Sequence, residues 1–325
     1  MKRADAQMVS GPRVSIVITT YRSQHGHLSL AIASALGQTW RDIEVMVSDD
    51  SPDDSLRDLV AAFRDPRVSY RHNAPALGVA RNHWRCFREA TGEFVAVLNH
   101  DDWLAPRFVE ALAEVLICHG AATLAFCDHW IIDSAGRHLI EESDRNTITW
   151  GRAQLSEGLH RPFASLVAAQ SIPMAMGTLF RRSALPAALP DDAGPAYDLW
   201  LSYLLCRHGG GAWYEPERLS AWRSHADNLT SGGGLDWLRG SATCWQAMSR
   251  DRSCASVQNA TSGRAALSFY SCAVRAWHDG QRLVCAGFAF RSLRVRLTLR
   301  GLCACLLPVL PRRIVLWRTW RSRVH

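Results

Sequence analysis

Two adjacent carboxylates, Asp101 and Asp102, close an apolar run, Phe94-Val-Ala-Val-Leu98, long enough for one buried strand. Neighbouring acids repel, and a divalent cation is the usual relief. In an open α/β sheet, ligands settle beyond the carboxyl ends of strands, which is where these two acids stand. The competing reading is an acidic turn that caps a helix starting near Pro106. A second constellation lies upstream. Thr19-Thr20-Tyr21 ends one β-branched run, and Asp49-Asp50 ends another. A tyrosine ring beside a carboxylate suits a nucleobase, because the ring stacks and the acid accepts a base N–H. The competing reading is that Asp49-Asp-Ser-Pro-Asp-Asp-Ser55 only caps the helix expected over Leu56–Phe63. Arg81 suits a phosphate or a base at the same rim, or it simply remains solvated.

These side chains need elements to carry them. Val14–Thr20 and Ile43–Val47 read as buried parallel strands, and Leu28–Leu36 between them is amphipathic, which makes a βαβ unit. Its two strand ends place Tyr21 and Asp49/Asp50 at one rim. A short strand at Val68–Arg71, a helix from Arg81 to just before Gly92, the strand ending at Asn99, a helix over Pro106–Cys118 and a strand over Thr123–Ile132 follow. Residues 137–165 read as polar and irregular, as loops that choose substrates often are. A β-type run, Met176–Arg181, then precedes an amphipathic helix that opens at Tyr197-Asp198-Leu-Trp.

The order of these motifs resembles the family 2 inverting glycosyltransferases of the GT-A fold, from Val14 to about Ser231. The resemblance is carried by Thr19-Thr20-Tyr21, Ser34-xxx-Gln38-Thr39, Glu44-Val-Met-Val-Ser-Asp-Asp-Ser-Pro-Asp53, Gly78-xx-Arg81-Asn82, Gly92-Glu93 and Leu98-Asn-His-Asp-Asp102. It implies a Rossmann-like, mixed but mostly parallel sheet flanked by helices, and a nucleoside-diphosphate sugar as donor, UDP-type by preference. It implies that Thr19, Tyr21 and Asp49 or Asp50 meet the nucleotide, that Arg81 touches the donor, and that Asp101 and Asp102 hold ribose and metal. Relatives commonly carry Asp-x-Asp-Asp where this chain has Asn99, so the Mn²⁺ or Mg²⁺ rests on Asp102, with Asp101 assisting. Relatives often read Glu-Asp-Tyr-Asp-Leu-Trp at the catalytic helix. Here Pro195-Ala196 stands in place of the Glu-Asp pair. Asp198 is therefore the expected base, with Asp191 and Asp192 in reserve; as a bland residue it would serve the helix dipole. Leu219-Ser-Ala-Trp-Arg223-Ser-His225-Ala-Asp-Asn228 resembles the family's Tyr-Arg-x-His-x-x-Asn segment, which gives His225 to the diphosphate or metal.

The implied activity moves a sugar to an acceptor hydroxyl on a glycan, a lipid-linked intermediate or a small molecule, in cell-surface glycan or glycolipid synthesis. Two rivals remain: a degenerate relative serving as a nucleotide-binding or membrane scaffold, and secondary-metabolite glycosylation. A dinucleotide enzyme is disfavoured, since no Gly-x-Gly-x-x-Gly follows the first strand.

Gly232-Gly-Gly marks the expected boundary between a catalytic domain, 1–231 (donor half 14–133, acceptor half 134–231), and an arginine-rich helical extension, 232–325. Helical periodicity runs over Leu235–Arg250 and Ala265–Leu283. The net charge is +7, and from Gly280 onward there are ten arginines and no acid. With Trp317 and Trp320 nearby, this composition suits an anionic membrane face, or equally a solvated helix or a partner contact; no stacking module or recognition helix points to nucleic acid. No run reaches the roughly 18 apolar residues of a membrane span, and the N-terminus lacks an apolar signal region. The expected location is cytoplasmic, peripheral at most. The ten cysteines then read as reduced, mostly buried thiols, with Cys303-Ala-Cys305 in a helix core.

Overall fold

The computed structural model describes residues 10–224 and 234–310. The chain divides into two compact units, Met1–Gly232 and Gly233–His325. In the first, the strands are β1 (Val14–Thr20), β2 (Ile43–Asp49), β3 (Val68–His72), β4 (Phe94–Asn99), β5 (Trp103–Leu104), β6 (Ala122–Ile132), β7 (Gly158–His160), β8 (Thr178–Arg181) and β9 (Gly211–Arg223). The helices are α1 (His25–Leu36), α2 (Arg57–Ala61), α3 (Val79–Glu89), α4 (Phe108–Cys118), α5 (Ile140–Thr149), α6 (Ala164–Ala169) and α7 (Tyr197–Arg207).

All the strands join one mixed sheet in the order β3-β2-β1-β4-β8-β6-β9-β5, with β7 on β9. β3, β2, β1 and β4 are mutually parallel, while β8 runs antiparallel between β4 and β6. β1 and β4 are buried on both faces, which is why they read as continuous apolar runs rather than alternating ones. The helices bury one stripe each: Leu28, Ala31, Ile32 and Ala35 on α1, and Phe108, Leu112, Ala113 and Leu116 on α4. These side chains and the sheet form one core. Chain direction reverses at β1, because β2 lies on one side and β4, two crossovers later, on the other. Such a switch point opens a crevice at the carboxyl ends of the strands.

The stretch 137–165 is more ordered than its polarity suggested. Asp133–Gly136 turns the chain, and α5 and β7 follow. A buried ion pair explains this order. Arg152, 2% exposed, donates from Nε to Asp128 Oδ1 on β6 at 2.8 Å, and Thr147 Oγ1 of α5 donates to Oδ2 at 2.5 Å. Polar residues in this stretch thus serve as internal partners, which hydrophobic periodicity does not register.

The second unit comprises α8 (Leu235–Arg250), α9 (Gln258–His278), α10 (Arg282–Val295) and α11 (Leu299–Leu306). Ala242, Phe269, Cys272, Ala273, Ala276, Cys285 and Ala289 form its core. The helical run expected through Leu283 breaks after His278, where Gly280 takes a left-handed backbone (φ 80°) and turns the chain into α10. All ten cysteines are free thiols and seven are buried. Cys303 and Cys305 depart from expectation: they lie on α11, but both are exposed and only Ala304 between them is buried. A spacing of two cannot put both side chains on one helix face. Among the described residues, no helix is long and apolar enough to cross a membrane.

Candidate active site at the carboxyl rim of the sheet

Strand register levels the rim. Thr20 pairs with Asp49 and Thr19 with both Ser48 and Asn99, so β1, β2 and β4 end together. At the end of β1 the chain swings outward. Arg22 adopts a left-handed backbone (φ 51°), uncommon for a residue with a side chain, and its N–H donates to Ser51 Oγ at 2.8 Å. Tyr21 is left 54% exposed at the lip, with the Arg22 guanidinium 5.2 Å from its ring centre.

Asp49 and Asp50 face inward. Asp49 accepts from the Ser51 N–H (2.8 Å) and the Tyr70 hydroxyl (2.9 Å), and that contact together with burial pushes the Tyr70 phenol upward. Asp50 accepts from Asn73 Nδ2 (2.9 Å), Leu77 N (3.2 Å) and Gly78 N (2.8 Å). It thereby shapes the loop before α3, where Gly78 at φ 83° takes a conformation open to glycine. An ionised carboxylate offers about four acceptor positions, so neither acid is saturated. The expected helix cap is not what these acids do: α2 has no side-chain cap, and Asp53 and Asp54 instead hold their own turn and Arg57.

Asp102 is fully buried. Its Oδ2 accepts from Asn99 Nδ2 (2.8 Å) and its Oδ1 from the Arg223 N–H (2.8 Å), while Arg223 Nε donates to the Asp101 carbonyl (2.8 Å). Burial and the adjacent Asp101 carboxylate raise Asp102 well above the usual carboxylate range. Asn99, where relatives have an acid, therefore acts as a donor to Asp102. Arg223, 2% exposed, straps the end of β9 onto this turn. Its position in the sequence motif was legible but its role was not.

The part of this unit after residue 134 reaches the same place through two aromatic rings. His83 of α3 stacks on Tyr197 of α7 with centroids 3.9 Å apart, and its Nε2 lies 3.0 Å from Thr19 Oγ1. Burial holds His83 down to about 4. Burial raises the Tyr197 phenol well above its ordinary value, and Asp198 and Asp102 push it the same way. Tyr197 is thus within electrostatic reach of both acids. Asp198, in the first turn of α7 and partly exposed, accepts from the Leu199 N–H at 2.8 Å, and the packing around it raises its pKa. Of the reserve acids, Asp191 pairs with Arg81 at 3.6 Å across solvent, with both side chains largely exposed. His225 lies outside the described residues. His83 and Tyr197 were missed in sequence; the only signal was a buried-face histidine on α3, beside Asn82 and Cys86.

Asp101 and Asp102 offer hard oxygen donors side by side, which fits Mg²⁺ or Mn²⁺, and a cation there would favour the ionised form of Asp102 that burial disfavours. Among the described residues, no group of three or more His, Cys, Asp or Glu side chains surrounds one cation position. An ion here would be completed by ligand oxygens, as such ions commonly are beside phosphates.

The sequence profile of glycosyl transferase family 2 matches residues 15–182. The chain belongs to this family. A curated relative, the UDP-Glc:alpha-D-GlcNAc-diphosphoundecaprenol beta-1,3-glucosyltransferase WfgD of Escherichia coli, is 34% identical over 104 residues, 32% of this chain and 41% of that protein. An uncharacterized glycosyltransferase of Nostoc is 28% identical over 186 residues, 55% of this chain and 54% of that protein. These matches therefore span about half or less of the relatives' own length. Among solved structures, S. aureus TarS 1–349 superposes with a TM-score of 0.65 at 13% identity, covering 91% of this chain and 88% of that one. The mannosyltransferase PcManGT of Pyrobaculum calidifontis, in complex with GDP-Man and Mn²⁺, gives 0.57 at 15% identity, with coverages of 92% and 84%. This family 2 glycosyltransferase thus has the mixed α/β fold of the GT-A type.

Proposed function

We propose that the protein is an inverting glycosyltransferase that takes a sugar from a UDP-type donor and passes it to a hydroxyl of a lipid-linked acceptor sugar. The observation that carries this reading is the level ending of the strands at Thr20, Asp49 and Asn99, with His83 beside Thr19 and stacked on Tyr197, whose phenol feels both Asp198 and Asp102. Tyr21 stacks on the base, and Asp49 or Asp50 accepts a base N–H with an unused lone pair. Thr19 and Arg81 flank the donor, and Asp101 faces the ribose.

Asp102, assisted by Asp101, would hold a divalent cation, which when bound offsets negative charge on the donor's diphosphate. The acceptor oxygen attacks the anomeric carbon from the face opposite the nucleotide. The new C–O bond forms as the bond to the diphosphate oxygen breaks, and nucleoside diphosphate departs. The hydroxyl proton passes to Asp198, whose raised pKa makes it a stronger base than an exposed carboxylate.

The donor assignment is supported by WfgD, named for UDP-Glc, and by a TarS structure that holds UDP-GlcNAc. The acceptor assignment is supported by WfgD and WfaP of Escherichia coli, both named for a GlcNAc-diphosphoundecaprenol acceptor. Such an acceptor presents its sugar at a membrane surface, so a peripheral location follows from the same reading. The test is to incubate the protein with UDP-glucose, Mn²⁺ and a short-chain GlcNAc-diphosphoprenol, then read the anomeric coupling of the product by NMR. A β-linked sugar is expected. A retained linkage, or donor hydrolysis without transfer to any lipid-linked sugar, would reject the reading.

A further inference from the structure

The second unit carries a cavity of about 180 Å³ lined by Gln246, Arg250, Arg291 and Arg294. The last turn of α8 supplies Gln246 and Arg250 at i, i+4, and α10 supplies Arg291 and Arg294 at i, i+3. Arg291 is fixed: its guanidinium lies 4.3 Å from the Phe269 ring centre, and its NH2 donates to Gln246 Oε1 at 3.4 Å. The ion pairs described in this unit are Arg239–Asp236 and Arg275–Asp279, so the three cavity arginines have no carboxylate partner among the described residues. Residues 280–310 contain five arginines and no acid. Arg250 and Arg294 are exposed, with the Arg294 guanidinium 5.8 Å from the Phe290 ring centre, so solvent screens part of the repulsion among the three guanidiniums and an anion between them would relieve the rest. A phosphate group, with several charged oxygens, matches their planar donor forks.

Beside this cavity runs an apolar stripe. On α10, Leu283 (89% exposed), Ala286, Gly287 and Phe290 (60%) recur at i, i+3, i+4, i+7, and Arg294 continues the row at the cavity's edge. The opposite face, Cys285, Phe288, Ala289 and Ser292, is buried in the core. Leu297 and Leu299 extend the exposed apolar surface, and α11 adds Leu302 and Leu306. Contiguous exposed leucine and phenylalanine beside arginine is the pattern of a helix lying in a membrane interface.

We propose that this unit docks on an anionic lipid surface, with a lipid phosphate seated among Arg250, Arg291 and Arg294 and the α10 stripe set among the acyl chains. A second copy of the chain fits less well, since a two-fold contact across this face would set the arginine cluster against itself. The proposal extends the lipid-linked-acceptor reading but rests on different residues.

The test is co-sedimentation of the full chain with vesicles of phosphatidylcholine alone, and with phosphatidylcholine and phosphatidylglycerol in equal parts. Binding is expected to the mixed vesicles and not to phosphatidylcholine alone, and to weaken with salt. Each interfacial arginine contributes about fivefold, so R250Q/R291Q/R294Q should bind about a hundredfold more weakly. R250Q/R294Q, which leaves Arg291 on Phe269, should lose roughly twentyfold. L283S/F290S should lose binding to a similar degree while keeping its circular dichroism. Equal binding to both vesicle types, or unchanged binding in the double variants, would overturn the proposal. So would saturable stabilisation by inorganic phosphate without vesicle binding, or self-association abolished by L283S/F290S without vesicle binding. Transfer from UDP-glucose to the short-chain GlcNAc-diphosphoprenol, measured without vesicles, separates the two readings: its absence from the wild type would reject the enzymatic proposal and leave vesicle docking standing.

Discussion

Asp198→Asn separates chemistry from architecture, because the two roles available to this side chain differ in size. Its recorded contact is a 2.8 Å hydrogen bond from the Leu199 N–H, in the first turn of α7. As a helix-terminal charge it stabilises the fold by about 0.3–1 kcal/mol. As the base it contributes roughly 10²–10⁴-fold, or about 3–5 kcal/mol in the transition state. The variant should therefore unfold within about 1 kcal/mol of wild type, bind UDP with unchanged affinity, and turn over at least about a hundredfold more slowly. The pH profile gives a second readout. Burial raises the Asp198 pKa, so the acid limb of kcat should fall above the ordinary carboxylate value of about 3.9 and vanish in the variant. Single-turnover measurements with saturating UDP-sugar, paired with urea denaturation, test both parts. A rate within a few-fold of wild type would refute the assignment, and a large loss in Asp191→Asn or Asp192→Asn instead would move the base to the loop before α7.

His83 supplies a stability prediction with a definite pH window. Burial lowers it to about 4, so the folded state keeps it neutral where the unfolded chain, with an ordinary value near 6.5, takes up a proton. The stability this preserves is complete above about pH 6.5 and is lost as pH falls toward 4, amounting to about 3 kcal/mol. His83→Phe keeps a ring on Tyr197 without the titration. Between pH 7 and 4 the wild type should lose about 3 kcal/mol more than the variant by urea denaturation, and parallel curves would contradict this. Asp128→Ala strands the buried Arg152 and should cost about 3–5 kcal/mol, whereas Asp128→Leu with Arg152→Met should recover most of it. A loss below about 1 kcal/mol in the single variant would mean that this ion pair does not brace α5 against β6.

Residues 14–133 were legible because their signals are local. Val14–Thr20, Ile43–Asp49 and Phe94–Asn99 are apolar runs that end in polar residues, and parallel strands with level ends put those residues on one rim. Residues 134–224 were less legible because their order comes from pairings distant in sequence. Arg223 reaches back to Asp101 and Asp102, Arg152 to Asp128, and Tyr197 to His83. No periodicity within a helix or strand encodes such contacts, which is why residues 137–165 read as loop although they contain α5 and β7. The same limit explains Asp49 and Asp50. Their position at the rim was readable, but their hydrogen bonds to Tyr70 and to the 73–78 loop were not. In the second unit α8 and most of α9 were readable from their periodicity, α10 was not separated from the run before it, and the outward facing of Cys303 and Cys305 depended on which side of α11 meets α10.

The most direct test is calorimetric titration of UDP, in the presence of Mn²⁺, into the wild type and Tyr21→Ala. On the proposed reading the wild type should bind the nucleotide at one site, and loss of the Tyr21 ring should weaken binding by about tenfold, within the roughly 1–3 kcal/mol that a base–aromatic contact contributes. No heat of binding, or identical affinity in the two proteins, would mean that the lip bearing Tyr21 is not where a nucleotide sugar is held.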